Sequence, residues 1–199
     1  MSNRISRRDL LTFIASGVAV AWMPMPAVAF SVGQAESLIT KVVSDINRII
    51  NSGNSESTML RDFEQIFVRY ADVGRIAQIV LGADGRSASA AQKTAFAKAF
   101  QGYISRKYGK RFREFIGGQI EVKDGKAVKS FFEVQTTAIL QGEAPFDVVF
   151  VVAGKTGKFI DMKIEGISLV KAERTEIGAM LDRRKGNLDQ LIKDIGSAS

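Results

Sequence analysis

The chain has 199 residues, a formal charge of +7, and neither histidine nor cysteine. Those two absences exclude the usual zinc sites, Ser-His triads, thiol nucleophiles and any disulfide framework. The basic balance leaves nucleic acid, anionic headgroups or an acidic protein as candidate partners.

The first 29 residues read as an export signal. Arg4, Arg7 and Arg8 form a positive start, Leu10 to Trp22 form a mostly apolar stretch, and Ala27-Val28-Ala29 supplies small residues for cleavage before Phe30. The apolar stretch is shorter than the roughly 20 residues that span a bilayer. "SRRDLL" resembles a twin-arginine motif, although a Sec signal can also hold two arginines. Export points to the periplasm and argues against nucleic acid as partner. Cleavage removes three arginines and Asp9, which leaves a charge of +5 on residues 30–199, the length of a single domain.

Helical periodicity comes first in the mature segment. Leu38, Val42, Ile46 and Ile49 make an apolar stripe on a helix over about 31–51. Leu60, Phe63, Phe67 and Tyr70 make a second stripe, and Val73, Ile76, Ile79 and Val80 a third. "GADGRSAS" lacks the spaced acids and closing glutamate of a calcium loop, so it reads as a loop that ends in a helix cap at Ser87 or Ser89. A long helix comes next over 90–116, with Phe96, Phe100, Tyr103, Ile104, Tyr108, Phe112, Phe115 and Ile116 at three- and four-residue spacing. Six of those side chains are aromatic rings, more than packing on a small sheet requires.

The pattern then changes to strands. "IEVKDGKAVKS" reads as a hairpin turning at Asp124-Gly125, and "FFEVQTTAIL" alternates Phe132, Val134, Thr136, Ala138 and Leu140 against a polar face. After "QGEAP" comes "FDVVFVVA", apolar on both faces. "GKTGK" has Val149 where a phosphate loop needs its first glycine, so it is a turn leading into "KFIDMKIEG". Strands joined by turns this short are antiparallel. Helix returns with Ile177, Met180 and Leu181, and again after Gly186 with Leu188, Leu191, Ile192 and Ile195.

Helices, then a meander, then helices make an α+β domain. Its apolar surface exceeds what a solid core needs, which suits a carrier of a hydrophobic molecule. Nothing brings two carboxylates together for acid–base chemistry, and no motif calls for a cofactor. The excess of rings opposite "FDVVFVVA" marks Phe100, Tyr103, Ile104, Val148, Phe150 and Met162 as cavity candidates.

"DMKIEGISLVKAER" resembles the D-V-x-(I/V)-E-G-(V/I)-S-L-V-x-x-x-R signature of the MlaC family, the periplasmic phospholipid shuttles of the Mla system, also called the toluene-tolerance family. "VLGADGRSASAAQKTAFAKAFQGYISRKY" is similar to that family's L-G-x-x-(W)-x-x-A-(S/T)-x-x-Q-x-x-x-F-x-x-x-F segment, and the likeness runs from about Ser31 to Ile195. Glu173 stands where the family usually has Tyr, and the Trp residues expected near 83–86 and before "DMKIEG" are absent.

The resemblance implies a bent antiparallel sheet of four to five strands packed against several helices, NTF2-like, enclosing a pocket for the acyl chains. It makes residues 30–199 one lipid-binding domain of a carrier that performs no chemistry. Diacyl phospholipid would be its ligand. An inner-membrane ABC transporter with its MCE-type complex, and an outer-membrane lipoprotein complex, would be its partners. Met162 and Ile164 would face inward, Gly166 would let the chain leave the sheet, and Ser168 and Arg174 would fix the next helix or face the pocket mouth. The wider set of expected lipid contacts adds Phe67, Ile76, Val80, Phe96, Phe112, Val134 and Thr136. A hopanoid-linked branch with the same signature, another hydrophobic-ligand carrier and a small-molecule enzyme on a similar curved sheet are the alternatives.

Replacing Arg7 and Arg8 together by lysine is expected to trap uncleaved precursor, read by cell fractionation. Undiminished periplasmic protein would assign the Sec route instead.

Overall fold

Ser31 starts the first helix by a reciprocal cap: its Oγ accepts from Gln34 N (3.3 Å) and Gln34 Oε1 accepts from Ser31 N (2.8 Å). The computed structural model describes residues 30–109 and 114–197, so the expected export signal and Phe112 lie outside the described residues. Five helices come first: α1 (Val32–Ile50), α2 (Glu56–Tyr70), α3 (Val73–Leu81), the single turn α4 (Asp84–Ser87) and α5 (Ala90–Gly109). Five strands come next: β1 (Gln119–Val128), β2 (Phe131–Ile139), β3 (Phe146–Ala153), β4 (Lys158–Ile164) and the short β5 (Ile167–Ser168). Two more helices, α6 (Leu169–Arg183) and α7 (Leu188–Ser197), complete the described chain. The strands pair in sequence order and are antiparallel throughout, the meander that short turns demand.

Alternation decides which side of the sheet is packed. On β2, Val134, Thr136 and Ala138 are fully buried, while Glu133, Gln135 and Thr137 between them are half-buried. Their cross-strand partners are Phe150, Val148 and Phe146, and the next strand sets Met162 beside Phe150 and Ile164 beside Val148. A register shift between Val151 and Val152 leaves Ile160 without a partner on β3, so β4 bends there.

Helices cover both edges of the sheet. At β1, Asn47 of α1 pairs its side-chain amide with the backbone of Ile120, donating to its carbonyl and accepting from its N–H, both at 2.9 Å. That amide satisfies groups which an open edge would present to other chains. At β4, Ala71 forms a parallel bridge to Phe159, and Asp72 N donates to Phe159 O (2.9 Å), which ties the start of α3 to the strand.

Two expectations from sequence are corrected. Asp124-Gly125 is not a turn: β1 runs through it, with a register irregularity between Val122 and Gly125, and the chain reverses at Lys129-Ser130, where Lys129 takes a φ of 56°. Gly125 serves close approach instead, since a Cβ there would stand 2.9 Å from the Glu36 side chain of α1. The long helix ends at Gly109 among the described residues, not at 116. A Cβ at Gly109 would meet Leu60 of α2 at 2.0 Å, so only glycine lets the helices approach this closely. Beyond it, Phe115 packs edge-on against Phe146 (6.3 Å) outside the helix, and Ile116 is exposed. The loop before α5 holds the one-turn α4, and Ser89 is the cap, its Oγ accepting from Gln92 N (3.1 Å).

The β4–α6 junction explains the "DMKIEGISLV" stretch. Glu165 (φ 48°) and Gly166 (φ 80°) form a two-residue turn with both centres left-handed, the geometry that matches strand twist. Asp161 ties both sides of this turn together: Oδ1 accepts from Met162 N (2.8 Å) and Val170 N (3.1 Å), and Oδ2 accepts from Ser168 Oγ (2.5 Å). Ser168 Oγ in turn accepts from Lys171 N (3.1 Å) and caps α6. Arg174 lies exposed against Gly82. Asp161→Ala strands the Val170 N–H and the Ser168 hydroxyl, and it should lower stability by about 1–3 kcal/mol. Urea unfolding reads this directly, and an unchanged midpoint would contradict the role given to Asp161.

Candidate functional site: an apolar cavity between helices and sheet

The side chains of the facing layers do not fill the space between them. A cavity of about 130 Å³ remains between them. Val42 and Ile46 of α1, Phe63, Ile66 and Phe67 of α2, and Ile76 of α3 form one side of its wall. Phe100, Ile104, Ser105 and Tyr108 come from α5, and Leu169, Val170 and Glu173 from the start of α6. The sheet contributes Phe150 of β3 with Phe159, Asp161 and Met162 of β4. Phe159 is the pivot of the ring packing, edge-on to Phe150 at 5.8 Å and tilted to Phe67 at 6.2 Å. Stiff rings in such contacts prop the layers apart where branched aliphatic side chains would interdigitate.

One end of the cavity is polar. Glu173, buried on α6, accepts through Oε1 from Lys107 Nζ (2.7 Å) and Tyr108 OH (2.5 Å). Lys107 also donates to Glu176 Oε2, and Tyr103 OH donates to Glu176 Oε1 (2.8 Å). The Lys107 ammonium lies 5.5 Å from the centres of both the Tyr103 and Tyr108 rings. Burial, then the bond to Glu176, pushes the Tyr103 phenol up to about 12. Burial and the bond to Glu173 hold Tyr108 above its usual range as well. For Lys107 burial opposes the charge, but the hydrogen bonds to Glu173 and Glu176 outweigh it and keep the ammonium above its usual range. The bond from Lys107 holds the Glu176 carboxyl below the ordinary carboxylate range.

Of the residues expected from sequence to line a pocket, Phe67, Ile76, Phe100, Ile104, Phe150 and Met162 stand on this wall. Val80, Phe96, Val134 and Val148 are buried in the surrounding core and do not reach it. Tyr103 is turned to Glu176, and Thr136 donates to Val148 O (2.7 Å), so both spend their polar atoms on the scaffold. Ile164 is half-buried on the same sheet face as Met162, but beyond the cavity's end. Phe112 lies outside the described residues.

The wall also holds residues that the expected set omitted. Val42, Ile46 and Phe63 lie on helical stripes visible in the sequence, where periodicity cannot separate a core position from a cavity wall. Ile66 falls one residue off the stripe assigned to its helix. Tyr108 lies on the aromatic stripe of α5, whereas Asp161, Ser105 and Glu173 are polar and carry no pattern that marks a wall position.

Comparison with known proteins agrees with this architecture. The MlaC protein family profile matches residues 37–197. The fold is similar to that of the phospholipid-binding protein from Ralstonia solanacearum, solved in complex with a phospholipid, with a TM-score of 0.68 and 20% sequence identity. That match covers 82% of this chain and 99% of the other. With the profile spanning all but the first turn of the helical layer and the whole sheet, the chain belongs to the MlaC family.

Proposed function

We propose that this protein is a periplasmic phospholipid carrier that moves lipid between the outer- and inner-membrane complexes of a Mla-type ABC transport system, with no catalytic step. The observation that carries the proposal is the apolar cavity between helices and sheet, built almost wholly from aromatic and aliphatic side chains. Membership of the MlaC family and the likeness to a phospholipid-bound fold support it.

The energetics favour a carrier that needs help to unload. Burying roughly 30 methylenes at about 0.8 kcal/mol each is worth on the order of 24 kcal/mol relative to water. A bilayer offers nearly the same, so binding is a near-balanced exchange with membrane, and release into water is very slow. A docking partner must therefore open the cavity or align it with another apolar conduit. An inner-membrane transporter with an MCE-type complex at one end, and an outer-membrane lipoprotein complex at the other, would fill that role.

The cavity's present volume sets a requirement on loading. An engineered apolar cavity of about 150 Å³ takes one benzene, so about 130 Å³ cannot hold two acyl chains. Helices α2 and α5 pack on each other and chiefly on other helices, whereas α1, α3 and α6 are bound to the sheet. Loading would therefore move α2 and α5 away from β3 and β4.

Two tryptophan substitutions test the proposal. Ile104 is on the cavity wall, so Ile104→Trp should leave folding nearly intact and exclude acyl chain, reducing bound lipid per protein. Val148 is in solid core, so Val148→Trp should cost about 1–3 kcal/mol or more by overpacking. Thermal unfolding of delipidated protein, alongside lipid quantification, reads both. Full lipid content in the Ile104→Trp protein would contradict the assignment of this cavity to lipid.

A further inference from the structure

The polar end of the cavity holds an acceptor that the protein itself does not use. Glu173 is 2% exposed and forms part of the wall. Its Oε1 takes the bonds from Lys107 and Tyr108, while its Oε2 is buried with no hydrogen-bond partner among the described residues. A carboxylate can accept about four hydrogen bonds, and an unmatched oxygen in an apolar setting is costly enough that native proteins keep few of them. The other polar groups on the wall are committed. Asp161 has donors on both oxygens, and Ser105 Oγ donates to Gln101 O (3.0 Å).

The position of this oxygen suits an amphiphile. From Glu173 the cluster continues outward through Lys107 and Glu176, whose side chains are 30% and 43% exposed. Glu173 thus stands where the apolar wall gives way to polar surface. A bound lipid brings its own polar group to such a boundary.

We infer that Glu173 Oε2 recognises a hydrogen-bond donor on the bound molecule, so that the cavity selects amphiphiles carrying a hydroxyl or an ammonium group at the end that meets α5 and α6. This rests on the lipid-carrier reading and adds a ligand class to it. One variant inverts the chemistry of the site. Lys107 can only donate, so in Glu173→Gln the amide oxygen must face Lys107. The amide nitrogen then stands where Oε2 stood, and a donor replaces the acceptor.

The test is calorimetric binding of three ten-carbon probes to the exported, delipidated protein: 1-decanol, decylamine and 1-methoxydecane, whose oxygen can only accept. The unaltered protein should bind decanol or decylamine about tenfold more tightly than the ether, as a hydrogen bond to a charged acceptor warrants. Which of the two binds tighter tells hydroxyl from ammonium. In Glu173→Gln the ether should equal or overtake the alcohol, and in Glu173→Met the preference should vanish. Such a reversal cannot come from lost stability, and thermal unfolding of each variant checks the fold independently. Equal affinity for all three probes, or a preference that persists in both variants, overturns the inference and leaves the carrier reading standing. Binding of none overturns it too; diacyl lipid recovered in the extract when the protein is delipidated then preserves the carrier reading, and its absence removes both.

Discussion

Asp161 accepts three hydrogen bonds from residues later in the chain, and through them the last long strand is fixed to the helix that closes the cavity. On the same strand, Phe159 O receives the N–H of Asp72, which fixes α3 to the same place. Interiors ordinarily pack to crystal density, so a gap among large side chains persists only where the frame around it cannot collapse. Here β4 is that frame. It is bent by the unpaired Ile160, joined to two helices within three residues, and lined on the cavity side by Phe159 and Met162.

The same arrangement divides the molecule into a fixed part and a part that can yield. The sheet with α1, α3 and α6 is bound by backbone hydrogen bonds and by the Asn47 and Asp161 side chains. Across the cavity, α2 and α5 pack mainly on other helices; side-chain bonds tie α2 to α1 (Tyr70 OH to Asp45, 2.9 Å), and bonds from Tyr103, Lys107 and Tyr108 to Glu173 and Glu176 tie α5 to α6. Apolar contacts are non-directional and re-form readily after small displacements. Under the proposed function, this layer would shift to admit acyl chains while β4 keeps its hydrogen bonds to α3 and α6. The polar link would then set where the opening stops.

Much of this was legible in the sequence. Period-two alternation in "FFEVQTTAIL" and "DMKIEG", with short polar connections, required an antiparallel meander, and helical stripes placed the helices. The failures were local and involved glycine. At Asp124-Gly125 and at Gly109, glycine serves close helix contact; the sequence reads the first as a reversal and passes through the second. The cavity was harder to read, because periodicity reports which face is buried but not whether the burial is against atoms or against space. Phe100 and Phe96 are four residues apart on one stripe, yet only Phe100 reaches the wall. The polar end was invisible, because Lys107, Tyr108 and Glu173 are ordinary residues until two helices bring them within hydrogen-bond reach.

Whether the space between helices and sheet exists to hold lipid is decided by what the native protein carries. The protein would be purified from its native cells without detergent, extracted with organic solvent and analysed by mass spectrometry, then delipidated and offered lipid vesicles. A lipid carrier yields stoichiometric diacyl lipid in the first step and recovers it in the second. Protein that emerges free of lipid, and that takes up none from vesicles while remaining folded, would contradict that role.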